Sequence, residues 1–307
     1  MKLTVHIGTT KTGSTSIQAF FRANRLALAE QGILYPAVLG QQHHLKATVS
    51  SLNFSQSSDL MKHQAVHSEE ELEGFRKKTS TAFRRALRGE PDHVVISSEH
   101  LQSRCILPEN VQRFQSLFAT GFDQVRVVIY VRPQLDQLIS LYSTTLRNGS
   151  ANTLEDHISI YSKRFFYFDL KGIIELWGSV FSKEQIIVRP FKALSKQVDG
   201  GVVADFCNLF GISHKDERFS QPETVNSSIN VHGQELLRIL NRNGGVDTER
   251  RMAVVRWIEE NCSGGGAEPD LAAAKAFQDQ FRDGNAWVIK NYFPENPEYL
   301  EPRWPKA

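Results

Sequence analysis

Lys11 stands between two glycines, Gly8 and Gly13, and three hydroxyl residues follow, Ser14, Thr15 and Ser16. With Thr10 and Thr12, the stretch combines a mobile cation, a row of hydroxyl donors and a backbone free to turn tightly. Placed just ahead of a helix, such a run is an anion cradle. The first N–H groups of a helix lack internal partners, and the helix dipole favours negative charge there. The chemistry this supports is the binding and transfer of a phosphorylated or sulfated group. The lysine precedes the second glycine, so the spacing is not the Gly-x-x-x-x-Gly-Lys-Ser/Thr of a nucleotide-triphosphate loop. A Gly-x-Gly-x-x-Gly dinucleotide turn is absent as well.

A second cation has a position of its own. Arg132 closes the apolar run Val125–Val131 and is followed by Pro133, a residue suited to opening a helix. An arginine at the carboxyl edge of a buried strand lies where open α/β sheets bind ligands, and its guanidinium matches phosphate oxygens. Ser140, eight residues on, adds a hydroxyl on the predicted helix. Arg189, before Pro190, ends another strand and suits either that edge or a structural pairing. A transfer to a hydroxyl also needs a base. The candidates are the pair His43 and His44, and Glu99 with His100 after the apolar run His93–Ser97. Glu99 is equally readable as a partner of a histidine or of Arg132.

Two motifs carry a family resemblance. Lys11-Thr12-Gly13-Ser14-Thr15-Ser16 resembles the 5'-phosphosulfate loop of sulfotransferases that use 3'-phosphoadenosine 5'-phosphosulfate (PAPS), and Arg132 with Ser140 resembles their 3'-phosphate grip. The resemblance covers about residues 1–215 in layout. It implies PAPS as donor, 3'-phosphoadenosine 5'-phosphate (PAP) as product and no metal requirement. It assigns Gly8, Thr10, Lys11, Thr12, Gly13, Ser14, Thr15, Ser16, Arg132 and Ser140 to the donor. Lys11 would also act in catalysis, with His44, Glu99 or His43 as base. The chain departs from the family's small-molecule enzymes in lacking a C-terminal Arg-Lys-Gly grip, and Gln137 stands where a basic residue is common. The missing grip favours the bacterial or carbohydrate-type branch, hence a carbohydrate or glycolipid hydroxyl (or an amine) as acceptor, while Gln137 removes one supporting contact. Asn226-Ser227-Ser228 resembles an Asn-x-Ser feature of bacterial members.

The surrounding pattern must position these residues. Leu3–Ile7 reads as a strand and Ser16–Gln31 as a helix stopped by Gly32. Ser50–Ser58 reads as a polar loop beside the site, with Glu69–Arg88 a charged amphipathic helix. Strands at His93–Ser97, Gln124–Val131 and Gln185–Val188 alternate with helices at Pro108–Phe118, Gln134–Arg147, Leu170–Phe181 and Val202–Phe210. That alternation predicts a three-layer α/β/α fold with a mostly parallel, P-loop-like sheet. Residues 1–215 would form the core and 216–307 a helical cap, in one domain. The aromatic run Phe165-Phe166-Tyr167-Phe168 suits either a sugar platform or a core.

Composition sets the outer bounds. A chain of 307 residues with 40% hydrophobic content can bury a large core. A formal net charge of +2 is too small for a nucleic-acid footprint, so an anion site must be local. The three cysteines, Cys105, Cys207 and Cys262, form no disulfide framework or metal cluster by spacing. With no leader-like segment and no membrane-length apolar run, a cytoplasmic location is expected. Two rival readings share the layout: a P-loop-type kinase or NTPase, and a non-catalytic anion- or carbohydrate-binding protein. Oligomeric state is not legible.

Overall fold

The computed structural model describes residues 1–56, 58–222, 228–244 and 247–306. Five β-rich, mostly apolar runs pair into one sheet, β1 (Lys2–His6), β2 (Ile33–Leu34), β3 (His93–Ser97), β4 (Gln124–Val131) and β5 (Ile186–Pro190). Their order is β2-β3-β1-β4-β5, and every pairing is parallel. Near-continuous apolar strands such as Val125–Val131 are what a sheet covered on both faces requires. The expected α/β architecture with a parallel sheet between helices is observed.

Register decides where the site can form. His6, the last residue of β1, pairs with Ser97 of β3 and with Val128 of β4. The chain therefore leaves β1, β3 and β4 side by side at one edge, delivering the loop after Ile7, the Ser98–Glu99 turn and Arg132.

The strands alternate their side chains between two apolar layers. On one face, Ile17, Phe20 and Phe21 of the Ser14–Ala23 helix and Phe206 of the Gly201–Asn208 helix pack with Val95, Val128 and Tyr130. On the other are the helices Glu69–Ala86, Pro108–Phe114 and Leu170–Phe181, whose aromatic rings interlock. Phe114 lies 5.6 Å from Trp177, and Phe83 lies 5.5 Å from Phe118. Each fully buried ring of this size contributes roughly 2–3 kcal/mol by leaving water.

The contacts divide the chain into two compact units: 1–132 with 170–222, and 133–169 with 223–307. This differs from the internal division expected at residue 215. The reason is packing: Leu135, Leu138, Leu146 and Phe168 share a core cluster with Leu237, Ile258, Phe277 and Phe281. The described residues of the second unit are helical apart from its loops and one isolated bridge. The start of its Gln134–Arg147 helix is held by a buried amide network. Leu135 N–H donates to Gln278 Oε1 at 2.9 Å, while Gln134 Oε1 accepts from Gln278 Nε2 and the Gln134 amide exchanges hydrogen bonds with Asn285.

Two local expectations are corrected. The single helix Ser16–Gln31 is two, Ser14–Ala23 and Arg25–Ala29. Asn24 breaks it because its side-chain amide binds Phe20 O and both the N–H and the carbonyl of Ser220. The stretch expected as a polar loop from Ser50 to Ser58 has no regular element from Leu52 to Gln56, but its first two residues, Ser50 and Ser51, end a helix. Leu45–Ser51 forms a helix with Ala47–Ser51 fully buried. Most of its polar groups find internal partners: Thr48 bonds Ser98, and Arg76 and Arg113 donate to the carbonyls of Ser50 and Ser51, while the buried Ser50 Oγ has none among the described residues.

A polar tie spans the β4–β5 side of the sheet. Tyr130 Oη donates to the buried Asp205 Oδ2 at 2.7 Å, and Arg189 engages both oxygens of the same carboxylate. Arg189 is thus committed to a structural pairing. Removing Asp205 strands a buried phenol and a half-buried guanidinium, so Asp205→Ala is expected to lower unfolding free energy by about 3 kcal/mol. Urea denaturation checks this; a loss of less than about 1 kcal/mol would mean the tie is energetically idle.

Candidate active site

The loop between β1 and the Ser14–Ala23 helix takes its shape from three left-handed residues, Gly8 (φ 57°), Lys11 (φ 66°) and Gly13 (φ 80°). Positive φ at a lysine is disfavoured and persists only where the surroundings enforce it. Here they do. Thr9 Oγ1 donates to Tyr130 O at 2.7 Å, Thr12 Oγ1 donates to Thr9 O at 2.6 Å, and Arg132 donates to Lys11 O at 3.1 Å. The loop is therefore clamped to the end of β4 at both Thr9 and Lys11.

The glycines are steric requirements. A Cβ on Gly8 would sit 2.6 Å from Ser14 Oγ and 3.4 Å from Glu99 Cα and Cβ. One on Gly13 would sit 2.5 Å from Val202 Cγ2. Gly8 thus lets the loop pass directly against Glu99, the first residue of the Glu99–Arg104 helix after β3. Lys11 and Ser16 are half-buried and Thr15 is exposed. Ser14 is buried, and its Oγ has no partner among the described residues. An orphaned hydroxyl at the first turn of a helix is costly unless something outside the chain completes it. Thr12 differs from its expected role: its hydroxyl is buried and spent within the loop.

Glu99 is half-buried. Burial pushes its carboxyl above the ordinary carboxylate range, and the positive charge of Lys11 pulls it part of the way back. Sequence left Glu99 and His44 nearly level as bases, and the geometry separates them. Ser97 N–H donates to His44 Nδ1 at 3.1 Å, so the neutral ring carries its proton on Nε2. That nitrogen is buried and has no partner among the described residues. With its lone pair occupied and its ring 4.3 Å from that of Tyr35, His44 packs the strand edge and is a poor base. Burial first, then Arg25 and His43, push it down to about 3.

His43 is exposed and its ring lies 5.9 Å from that of His100. Partial desolvation of the ring by its neighbours, followed by His63, lowers His43; burial, then His43 and Arg104, lower His100 to about 4. Arg132 is half-buried, with its guanidinium 5.4 Å above the Phe191 ring. Ser140 is half-buried on the Gln134–Arg147 helix of the second unit. On the same helix Gln137 is buried, with neither amide atom partnered among the described residues. Asn226 and Ser227 lie outside the described residues. Phe168 belongs to the second unit's core, while Phe165 is exposed and stacks on Phe281. The sequence reading overlooked Thr9 as an anchor, Tyr130 as the carbonyl it uses and Phe191 under Arg132. Only Thr9 carried a signal, as a buried hydroxyl inside the motif.

The fold has likenesses among solved structures. One is a sulfotransferase from Alicyclobacillus acidocaldarius, 15% identical, spanning 89% of this chain and 98% of that one with a TM-score of 0.48. Another is the sulfotransferase domain from the curacin biosynthetic pathway, 12% identical, spanning 91% and 96% with a TM-score of 0.42. No protein-family model matches the sequence, and no curated protein matches it. No described helix is long and apolar enough to cross a membrane.

The buried histidines behind the loop make the site acid-sensitive. His6, whose Nδ1 lies 2.9 Å from Ser97 Oγ, is also pushed down to about 3 by burial. Between the ordinary histidine value of about 6.5 and that lowered value, the unfolded chain binds protons that the folded chain refuses. Stability is therefore expected to fall as pH drops below about 6.5, by up to about 1.4 kcal/mol per pH unit for each histidine. His44→Asn should flatten that slope by about one proton in denaturation series between pH 7 and 4.5. An unchanged slope would show that His44 titrates alike in both states.

Proposed function

We propose that the chain is a PAPS-dependent sulfotransferase that passes a sulfuryl group to a hydroxyl, or an amine, of a carbohydrate-type acceptor. The observation that carries this reading is the clamped Gly8–Ser16 loop, with its unpartnered Ser14 hydroxyl, running against Glu99. An anion cradle and a carboxylate of raised basicity side by side are what sulfuryl transfer to a hydroxyl requires. When bound, the donor supplies the sulfuryl group and a phosphate leaving group.

The residues fit that donor at its phosphosulfate end. Gly8 and Gly13 leave the space, and Ser14, Thr15, Ser16 and the first N–H groups of the Ser14–Ala23 helix supply donors. Lys11 supplies the positive charge that offsets negative charge developing on the leaving oxygen. Arg132 supplies a cation at the adjoining strand end for the 3'-phosphate, as the sequence resemblance assigns it. Glu99 accepts the acceptor hydroxyl's proton on a carboxylate oxygen. Burial makes that oxygen more basic than a solvated carboxylate, and the nearby Lys11 charge pulls it part of the way back. A kinase or NTPase reading lacks the Gly-Lys-Ser/Thr spacing and has less support.

Two measurements test this. PAP should bind the intact protein in calorimetry, and Lys11→Ala and Arg132→Ala should each weaken it by about tenfold or more. Undetectable PAP binding by the unmodified chain would sink the donor assignment. Glu99→Gln should keep PAP affinity while lowering sulfuryl transfer to a panel of sugars, glycolipids and a phenol by roughly 100-fold or more. A Glu99→Gln enzyme turning over at near wild-type rate would remove Glu99 from the base role. The acid limb of the pH–rate profile is expected above the ordinary carboxylate value, with activity lost as pH falls through it.

A further inference from the structure

The later half of the Glu69–Ala86 helix carries charge of one sign. From Gly74 to Gly89 the sequence holds six cations and no acid, in a chain whose whole net charge is +2. Arg76 is buried and already held by Glu69, Glu73 and the carbonyls of Ser50 and Leu52. The other five, Lys77, Lys78, Arg84, Arg85 and Arg88, are exposed, and none is in an ion pair among the described residues. Glu70 and Glu73 lie two turns and one turn before Lys77, and Glu73 is the acid that Arg76 engages. Helical spacing groups the five on one side: Lys77, Arg84 and Arg88 follow one row, and Lys78 and Arg85 the row beside it.

The same side is concave. A groove of about 670 Å³ runs along it, with Val38, Ala82 and Ala86 supplying short apolar walls and Lys77, Lys78 and Arg85 the charge; no acid lines it. Val38 belongs to the Ala37–Leu39 turn that follows β2. Because β2 pairs with β3 in parallel, Ile33 with His93 and Leu34 with Val94, the chain after β2 leads toward the sheet edge that bears Glu99. Five residues after Val38 comes His43, whose ring neighbours that of His100.

We propose that this groove docks an acidic polysaccharide, a linear chain bearing carboxylates or sulfates, and holds the body of the acceptor while one hydroxyl reaches Glu99. The acceptor role rests on the sulfotransfer reading of the site; the docking itself does not. Lys77 to Arg84 and Lys78 to Arg85 each rise about 10 Å along the helix, so a partner whose negative charge repeats along a line meets both rows. Sugar rings carry apolar C–H faces for Val38, Ala82 and Ala86, and their acidic groups meet the cations. An anionic bilayer fits less well, since no large apolar side chain of this helix is exposed to enter it. A nucleic acid fits less well because no aromatic ring lines the groove for stacking.

Fluorescence anisotropy with labelled polygalacturonate and dextran sulfate, and neutral dextran as control, tests this on the full chain. Both acidic polymers should bind, dextran should not, and raising salt from about 50 to 300 mM should weaken binding. Lys78→Gln and Arg85→Gln should each cost about two- to fivefold in affinity, and the four changes Lys77→Gln, Lys78→Gln, Arg84→Gln and Arg85→Gln together at least about tenfold. Thr81 also lines the groove, so Thr81→Phe should weaken binding at unchanged charge and unchanged melting temperature. In turnover the four-site variant should raise KM for an acidic polymer and keep kcat near the wild-type value. Failure of the wild-type chain to bind either acidic polymer would overturn the proposal. So would a four-site variant or a Thr81→Phe variant that binds like wild type, or duplex DNA or phosphatidylserine vesicles held as tightly as the polysaccharides. None of these substitutions touches the donor loop, so PAP affinity reports on the sulfotransfer reading separately: PAP binding without polysaccharide binding sinks the groove alone.

Discussion

The hold of β4 on the loop after β1 is the constraint on which the site depends. Two hydrogen bonds, from Thr9 to the Tyr130 carbonyl and from Arg132 to the Lys11 carbonyl, fix a backbone that would otherwise avoid a left-handed lysine. They work because β1 lies between β3 and β4 in register, so the loop emerges with the end of β4 on one side and the Ser98–Glu99 turn on the other. A parallel sheet gathers strand ends of one polarity along a single edge. Without that gathering, Lys11, Glu99 and Arg132 would be unrelated residues.

Burial does more than stabilise the fold here; it sorts the titratable groups by role. His6 and His44 lie behind the strand edge, neutral and hydrogen-bonded to Ser97, where they pack and orient. Glu99 lies two residues beyond the end of β3 at Ser97, where it feels both the low-dielectric edge and the Lys11 charge. A shift of two residues past the strand end thus separates a packing group from a candidate base. The Tyr130–Asp205–Arg189 tie serves the same edge from behind, since Tyr130 also provides the carbonyl that anchors Thr9.

Much of this was legible in the sequence. The strand-loop-helix start, the apolar β4 ending at Arg132 and the alternation of strands and helices are local patterns, and local patterns survive in one dimension. The less legible parts were those where a residue's partner is distant in the chain. Asn24 looks like a helix interior residue until Ser220 competes for its amide. Ser50 and Ser51 look like the start of a loop until Arg76 and Arg113 satisfy their carbonyls at a helix end. Likewise, Gln134–Phe168 looks like part of the α/β core, yet its apolar side chains share a cluster with helices beyond residue 228.

By itself the sequence determined the kind of site to look for: a glycine-flanked lysine with hydroxyls at a helix start has the donors and dipole that suit an oxyanion. It also determined that a strand-end arginine would stand at the ligand-binding edge. What only the tertiary structure decided was which titratable side chain meets that cradle. His44 and Glu99 are equal candidates as letters. Strand register gives the His44 lone pair to a backbone N–H and sets Glu99 against Gly8, and register is a relation between segments far apart in the chain.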